Sequence, residues 1–413
     1  MKGVAALLAL ILLTAAAPAR VTFVQQPDAA ADLIGTQVLL QAGLDREAPS
    51  QNGLAALTAQ TILRTPVSNI PLEDAVKAAG GSVSFVMAPG RVRFYLEGPA
   101  SRYAVLQQLF STALAHPDFT PSTVVAARVQ LNKKIAADQR SPLRVGIEML
   151  DRAFYQNSDA GLPRYGISET LAGFTAADVQ AFYAAHYRAG DALVSSAGNT
   201  AAAGVSPAAI VQALPAGTST AIVVRAAALP STSRQLVARR DVPVPWLVAQ
   251  YAAPAAGSKD FGAMLILTEF MQRTLSDVSD VPAIATRSAA ESGVGAYYNF
   301  DSSPANVIVY VDGGLGDPVR TFSMALGVVG VLGHAKLGGD IAELKNFAAG
   351  RLLVDSQTVE QRAYLAALFA RSGGNAQAQI LKAIDATKAA DLQRVAARYL
   401  NAPAIALVLP RSK

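Results

Sequence analysis

The strongest constraint on this chain is that it repeats itself. The apolar run from Gly53 to Thr65 has a counterpart from Gly262 to Thr274, with Gly, Arg and Thr in register at an offset near 210 residues. An alternating hairpin, Ser82 to Val86 and Arg91 to Leu96 around Pro89-Gly90, is answered between Gly293 and Val311 around Ser303-Pro304. The helix candidates Arg102 to Ala115 and Pro121 to Asp138 are answered by Pro318 to Leu332 and Asp340 to Val354. Order, length and period recur together, which is the mark of a duplicated unit. The fold class that follows is α+β: two homologous domains, each an antiparallel sheet with helices packed on one side.

Local signals place the elements around that frame. Extended stretches at Val21 to Val24 and Thr36 to Leu40 lead through a polar turn, Asp45 to Asn52, into the organising helix, which stops before Pro66. A second helix, Leu72 to Ala79, ends at Gly80-Gly81. Thr175 with Asp178 three residues on reads as a capping box, and Ala192 to Ala197 reads as a strand whose Ser195-Ser196 forms a turn. Composition shifts to Ala, Ser, Thr, Pro and Gly after Gly198. The expected domains are therefore a signal peptide over 1–19, an N-terminal domain over 20–200, a linker region over 201–234 and a C-terminal domain over 235–413.

Several function classes are excluded by composition. Basic residues number 35 against 30 acidic, and no Lys or Arg run exceeds two, as at Lys133-Lys134 and Arg239-Arg240, so a nucleic-acid footprint is not expected. Lys2, the apolar run Val4 to Ala17 and Ala17-Pro18-Ala19 have the form of a secretory signal, and no later segment reaches the roughly 20 apolar residues of a membrane span. The expectation is a periplasmic or secreted protein with no membrane association after cleavage, and the lack of cysteine suits a core large enough to need no disulfide.

Catalytic motifs are absent at the level of spacing. Of three histidines, His116, His186 and His334, none has a second His three or four residues away, so no helix carries a two-histidine clamp. His116 precedes Pro117 at a helix end and His186 lies in an aromatic helix, which makes capping and packing their expected tasks. There is no Gly-x-Ser-x-Gly elbow, and Gly313-Gly314-Leu315-Gly316 lacks the Lys and Ser/Thr of a phosphate loop.

Several stretches, in order, resemble the pitrilysin/insulinase zinc peptidases, in particular two-domain bacterial members similar to the mitochondrial processing peptidase subunits. They are Gly80-Gly81-Ser82-Val83-Ser84, His116-Pro117-Asp118-Phe119, Gly161 to Gly166 with Glu169-Thr170-Leu171, Phe174 to Val179, Phe182-Tyr183 and His186-Tyr187. The resemblance implies a clamshell arrangement of the two domains. It also implies a His-x-x-Glu-His zinc motif after a Gly-Leu-Ala lead-in. Gly53-Leu54-Ala55 supplies the lead-in, but Ala56, Ala59 and Gln60 stand where the two His ligands and the Glu base belong. Lys134 stands where a third, acidic ligand is expected. No catalytic residue, metal ligand or cofactor is therefore expected in this chain.

In two-chain relatives one subunit holds zinc and the other none. By resemblance this chain is the zinc-free, non-catalytic subunit, with a zinc-bearing homologous subunit and unfolded peptide as partners. The Arg and Tyr that reach the substrate in such relatives correspond most nearly to Arg287 and to Tyr297 or Tyr298. The alternative is a stand-alone peptide-binding or scaffolding protein on the same fold.

Overall fold

The computed structural model describes residues 22–155, 161–201, 205–219, 234–278, 293–302, 304–315, 317–332, 341–370 and 375–411. The first half runs β1 (Thr22–Pro27), β2 (Leu33–Leu40), α1 (Leu54–Arg64), the short ribbon β3 (Pro66–Val67) and β4 (Ile70–Pro71), and α2 (Leu72–Ala78). It continues through β5 (Ser82–Ala88), β6 (Arg91–Pro99), α3 (Tyr103–Ala115), α4 (Pro121–Arg140), α5 (Pro142–Phe154), α6 (Ser168–Gly173), α7 (Ala176–His186), β7 (Leu193–Gly198) and α8 (Pro207–Gln212). The second half runs β8 (Arg234–Arg240), β9 (Trp246–Ala252), α9 (Phe261–Val278), β10 (Val294–Asn299), β11 (Asn306–Asp312) and α10 (Pro318–Leu332). It closes with α11 (Ile341–Asp355), α12 (Val359–Leu368), α13 (Ala376–Ala386), α14 (Ala389–Tyr399) and β12 (Ala404–Pro410).

The duplication is visible strand by strand. The first sheet has the order β1-β7-β2-β6-β5 and the second β8-β12-β9-β11-β10. Both are antiparallel except at one edge, where β1 runs parallel to β7 and β8 parallel to β12. Ser195 and Ser196 lie within β7, fully buried, and not in a turn; Ser196 Oγ is 2.7 Å from Thr36 Oγ1, to which the Tyr103 hydroxyl donates at 2.5 Å. The expected capping box is present, with Asp178 N–H donating to Thr175 Oγ1 at 3.2 Å and Thr175 N–H to Asp178 Oδ2 at 2.7 Å. Within the stretch read as a linker, α8 buries Ile210 and Val211 in the first-half core, while residues 220–233 lie outside the described residues.

Helices cover one face of each sheet, as the sequence suggested, but the other face is covered as well. β2 is buried at every position from Ile34 to Leu40, and β9 from Trp246 to Tyr251. A strand with one wet face alternates; unbroken burial requires cover on both sides. That cover comes from the opposite half of the chain. α5 packs on β9 and β12, and α12 packs on β1, β2 and β7. Small residues permit the approach: a Cβ on Gly146 of α5 would lie 2.6 Å from Val248 Cγ2, and one on Gly35 of β2 would lie 3.1 Å from the Val359 backbone of α12. Arg362 on α12 also pairs with Asp28 just after β1 at 2.6 Å. The two halves thus exchange one helix each, in addition to meeting along a surface.

Candidate functional site

Ala56, Ala59 and Gln60, the positions compared with a zinc motif, lie on α1, and the local chemistry there is structural. Gly53 precedes the helix at φ 102°, a conformation that strains any residue with a Cβ. The opening N–H groups of a helix need acceptors. Glu47 supplies them from six to eight residues upstream, accepting from Gly53 N–H at 3.1 Å and Ala55 N–H at 2.5 Å. Asn52 donates to Glu47 and, at 3.1 Å, to the Pro163 carbonyl. Gly166 sits so close that a Cβ there would meet Gly53 Cα at 2.6 Å. The Gly161 to Gly166 segment is therefore the clasp on the start of α1. Neither Glu47 nor Asp45 is a solvated turn residue; both are buried, which the polar composition of Asp45 to Asn52 did not reveal.

Ala56 and Ala59 are fully buried and Gln60 is 2% exposed. Across from α1, the Lys134 ammonium of α4 lies 4.3 Å from the Phe85 ring centre and 5.3 Å from that of Tyr165. The aromatic faces attract the cation. Burial holds its pKa below the ordinary lysine value, while Asp138 and Glu73 pull it back up. A catalytic zinc needs about three imidazole, thiolate or carboxylate ligands and a base. Two alanines, one amide and an ammonium group do not fit that ion.

The histidines are elsewhere. His116 caps α3 through its backbone N–H to the Thr112 carbonyl, and His186 ends α7 with its ring 4.6 Å from that of Phe182. Burial lowers the His186 pKa. His334 lies outside the described residues. Among the described residues no group of three or more His, Cys, Asp or Glu is arranged to hold a metal.

What the fold does offer is a cavity of about 520 Å³ between the halves. Its walls come from α4 and α5 and the Leu162 to Ile167 segment on one side, and from β10 and β11 on the other. Both charge signs line it: Arg93, Arg144, Arg164 and Arg351 with Asp138, Glu148, Asp151 and Asp301. At one end Asp151 accepts from Gln250 Nε2 at 3.4 Å, and the Tyr155 hydroxyl accepts from Asn306 Nδ2 at 2.7 Å and donates to the Pro304 carbonyl at 3.1 Å. Burial raises the Asp151 carboxyl to about 7, against the opposing pull of Arg164. This network was missed from sequence. Its signal was available, since Asp151 follows Leu143 and Ile147 at helical spacing and so places a carboxyl on the buried stripe of α5.

Strand alternation separates the two tyrosine candidates. Tyr297 faces α5, lines the cavity and packs 6.2 Å from the Tyr310 ring; burial raises it to about 12, while Arg144 pulls it down and Asp151 pushes it up. Tyr298 faces the opposite way into the second-half core, 3% exposed, with its hydroxyl bonded to the Pro254 carbonyl. Arg287 lies outside the described residues.

The fold can be compared with solved structures. A peptidase M16 inactive domain from Pseudomonas fluorescens superposes with a TM-score of 0.73 over 96% of this chain and 97% of that one, at 15% identity. This is the M16 peptidase fold. The M16, or pitrilysin/insulinase, resemblance read from the sequence thus holds at the level of architecture over nearly the whole chain. A protease from Helicobacter pylori superposes with a TM-score of 0.73 over 94% of this chain and 96% of that one, at 16% identity. A chain of complex III2 from Candida albicans does so at 0.70 over 94% and 93%, at 13% identity. No protein-family model and no curated protein matches the sequence.

Proposed function

We propose that this chain is an exported, non-catalytic subunit of an M16-type peptidase. It pairs with a zinc-bearing sister, closes one side of the proteolytic chamber and contacts unfolded peptide. The observation that carries this reading is the fate of the motif positions within a retained fold. Ala56, Ala59 and Gln60 are buried in a fully packed α1, and Lys134 rests on Phe85 and Tyr165, so neither ligand nor base remains. The interdomain cavity, with Tyr297 on its wall, is the surface offered to peptide. On this reading the purified chain holds no stoichiometric zinc and cleaves no peptide alone.

The test is to purify the tagged chain from its native host, identify what accompanies it at equal stoichiometry, and measure metal and peptidase activity. A zinc-bearing homologue, with cleavage only when both chains are present, supports the proposal. One tightly held zinc per isolated chain overturns it. Repeated isolation of the chain alone, binding peptide without cleavage, favours the stand-alone peptide-binding protein instead.

A further inference from the structure

The duplication places a second site opposite the lost one. In the second half, α9 corresponds to α1, and Leu265, Thr268 and Glu269 take the places of Ala56, Ala59 and Gln60. In the first half that place is closed by Lys134 on its aromatic rings. In the second half it is open, a cavity of about 100 Å³ whose lining shares Gln272, Ala296, Tyr297 and Arg351 with the large interdomain cavity. The small cavity thus adjoins the large one along these residues.

Its chemistry is specific. The walls are aliphatic, from Leu265, Leu365, Ile380 and Ile384. The polar groups are two carboxyls and one guanidinium: Glu269 on α9, and Asp355 with Arg351 on α11, where Arg351 Nε donates to Asp355 Oδ2 at 3.2 Å. Arg273, the next cation on α9, is not among the lining residues and stacks 3.2 Å from the Phe347 ring centre. With two carboxyls and one guanidinium in its lining, the pocket carries one negative charge in excess when both carboxyls are ionised. Burial pushes the Glu269 carboxyl up to about 7, Arg351 pulls it down, Asp355 pushes it up and Arg273 pulls it down. A second cation brought against it would hold it ionised.

We propose that this small pocket receives one lysine side chain of a peptide bound in the interdomain cavity. The aliphatic walls take the four-carbon stem, and Glu269, assisted by Asp355, takes the ammonium group. The volume suits a linear side chain and leaves little room for a second guanidinium beside Arg351. The assignment rests on the peptide-binding reading above, and its test separates the two.

Short unstructured peptides, each made once with a single central lysine and once with norleucine in its place, are titrated against the full chain by fluorescence anisotropy. Norleucine keeps the stem and removes the charge. The expected result is weaker binding of the norleucine form by roughly tenfold or more, the factor one charge-assisted hydrogen bond supplies. Glu269→Gln, which keeps size and hydrogen bonding, is expected to reduce that difference to less than about twofold, chiefly by weakening the lysine form. Equal binding of both forms by the parent chain, or a lysine preference that survives Glu269→Gln, overturns the pocket assignment alone. Binding of neither form across the set overturns the peptide-binding reading and the pocket with it.

Discussion

Replacing Asp151 with Asn should stabilise the protein, and by an amount that depends on pH. Asp151 lies on α5 against the second-half sheet, with Gln250 as its hydrogen-bonding neighbour and Arg164 as the nearest favourable charge. Its carboxyl titrates near 7 and not at the ordinary 3.8. Between those values the unfolded chain has released the proton and the folded chain still holds it, so stability falls as pH rises through that window and is level above it. A displacement of that size corresponds to on the order of 4 kcal/mol at pH 8. Asp151 keeps some exposed surface toward the cavity, and water there lowers the cost of its charge, so about 2 kcal/mol is the working figure. Asn keeps an oxygen for Gln250 Nε2 and adds a donor for Gln250 Oε1, which is buried without a hydrogen-bond partner among the described residues. Urea unfolding of both proteins at pH 5 and pH 8 measures the effect. The Asn variant should gain about 2 kcal/mol at pH 8 and less than half of that at pH 5. A difference between the two proteins that does not change with pH would refute the reasoning, because it would mean that the carboxyl is not held neutral by the fold.

Two further outcomes follow from the packing. Glu47→Ala removes the acceptor for Gly53 and Ala55 at the start of α1 and should cost about 2 kcal/mol in the same unfolding assay, with Glu47→Gln recovering roughly half. Gly146→Val forces a branched side chain onto Val248 where α5 crosses the second sheet. It should lower stability by about 1–3 kcal/mol while leaving a single unfolding transition, because α5 belongs to both halves. Two separated transitions in the calorimetric trace would contradict that coupling.

Much of the fold was readable before the structure, for identifiable reasons. Pro121 and the Gly80-Gly81 pair punctuate the chain, so α4 and the β5–β6 hairpin fall where expected. The repeat carried over even to strand order, β1-β7-β2-β6-β5 being matched by β8-β12-β9-β11-β10. What the sequence concealed was long-range. Continuous burial of β2 and β9 reads as apolar or small residues in either setting, and nothing local says that α5 and α12 change partners. The candidate tyrosine was ambiguous between Tyr297 and Tyr298, and strand parity puts Tyr297 on the large cavity and Tyr298 in the second-half core. That Ala56, Ala59, Gln60 and Lys134 are not zinc-ligand types was legible because it is a matter of residue type. The seating of Lys134 on Phe85 and Tyr165 was not, because that contact joins residues far apart in sequence.

The exchanged helices bear on how such a chain can reach its native state. α5 is synthesised long before β12, the strand on which it rests, since β12 ends at Pro410 near the last residue. Until β9 and then β12 are made its apolar stripe lacks its full native cover, and the first sheet likewise waits for α12. Contacts this distant in sequence slow folding and prolong exposure of sticky intermediates. Neither half can therefore complete its packing alone: a chain truncated before α12 leaves the first sheet without that cover, and one truncated before β12 leaves the second sheet without the strand between β8 and β9. The arrangement is that of two swapped protomers joined into one polypeptide, in which the covalent link replaces what would otherwise be a concentration-dependent encounter.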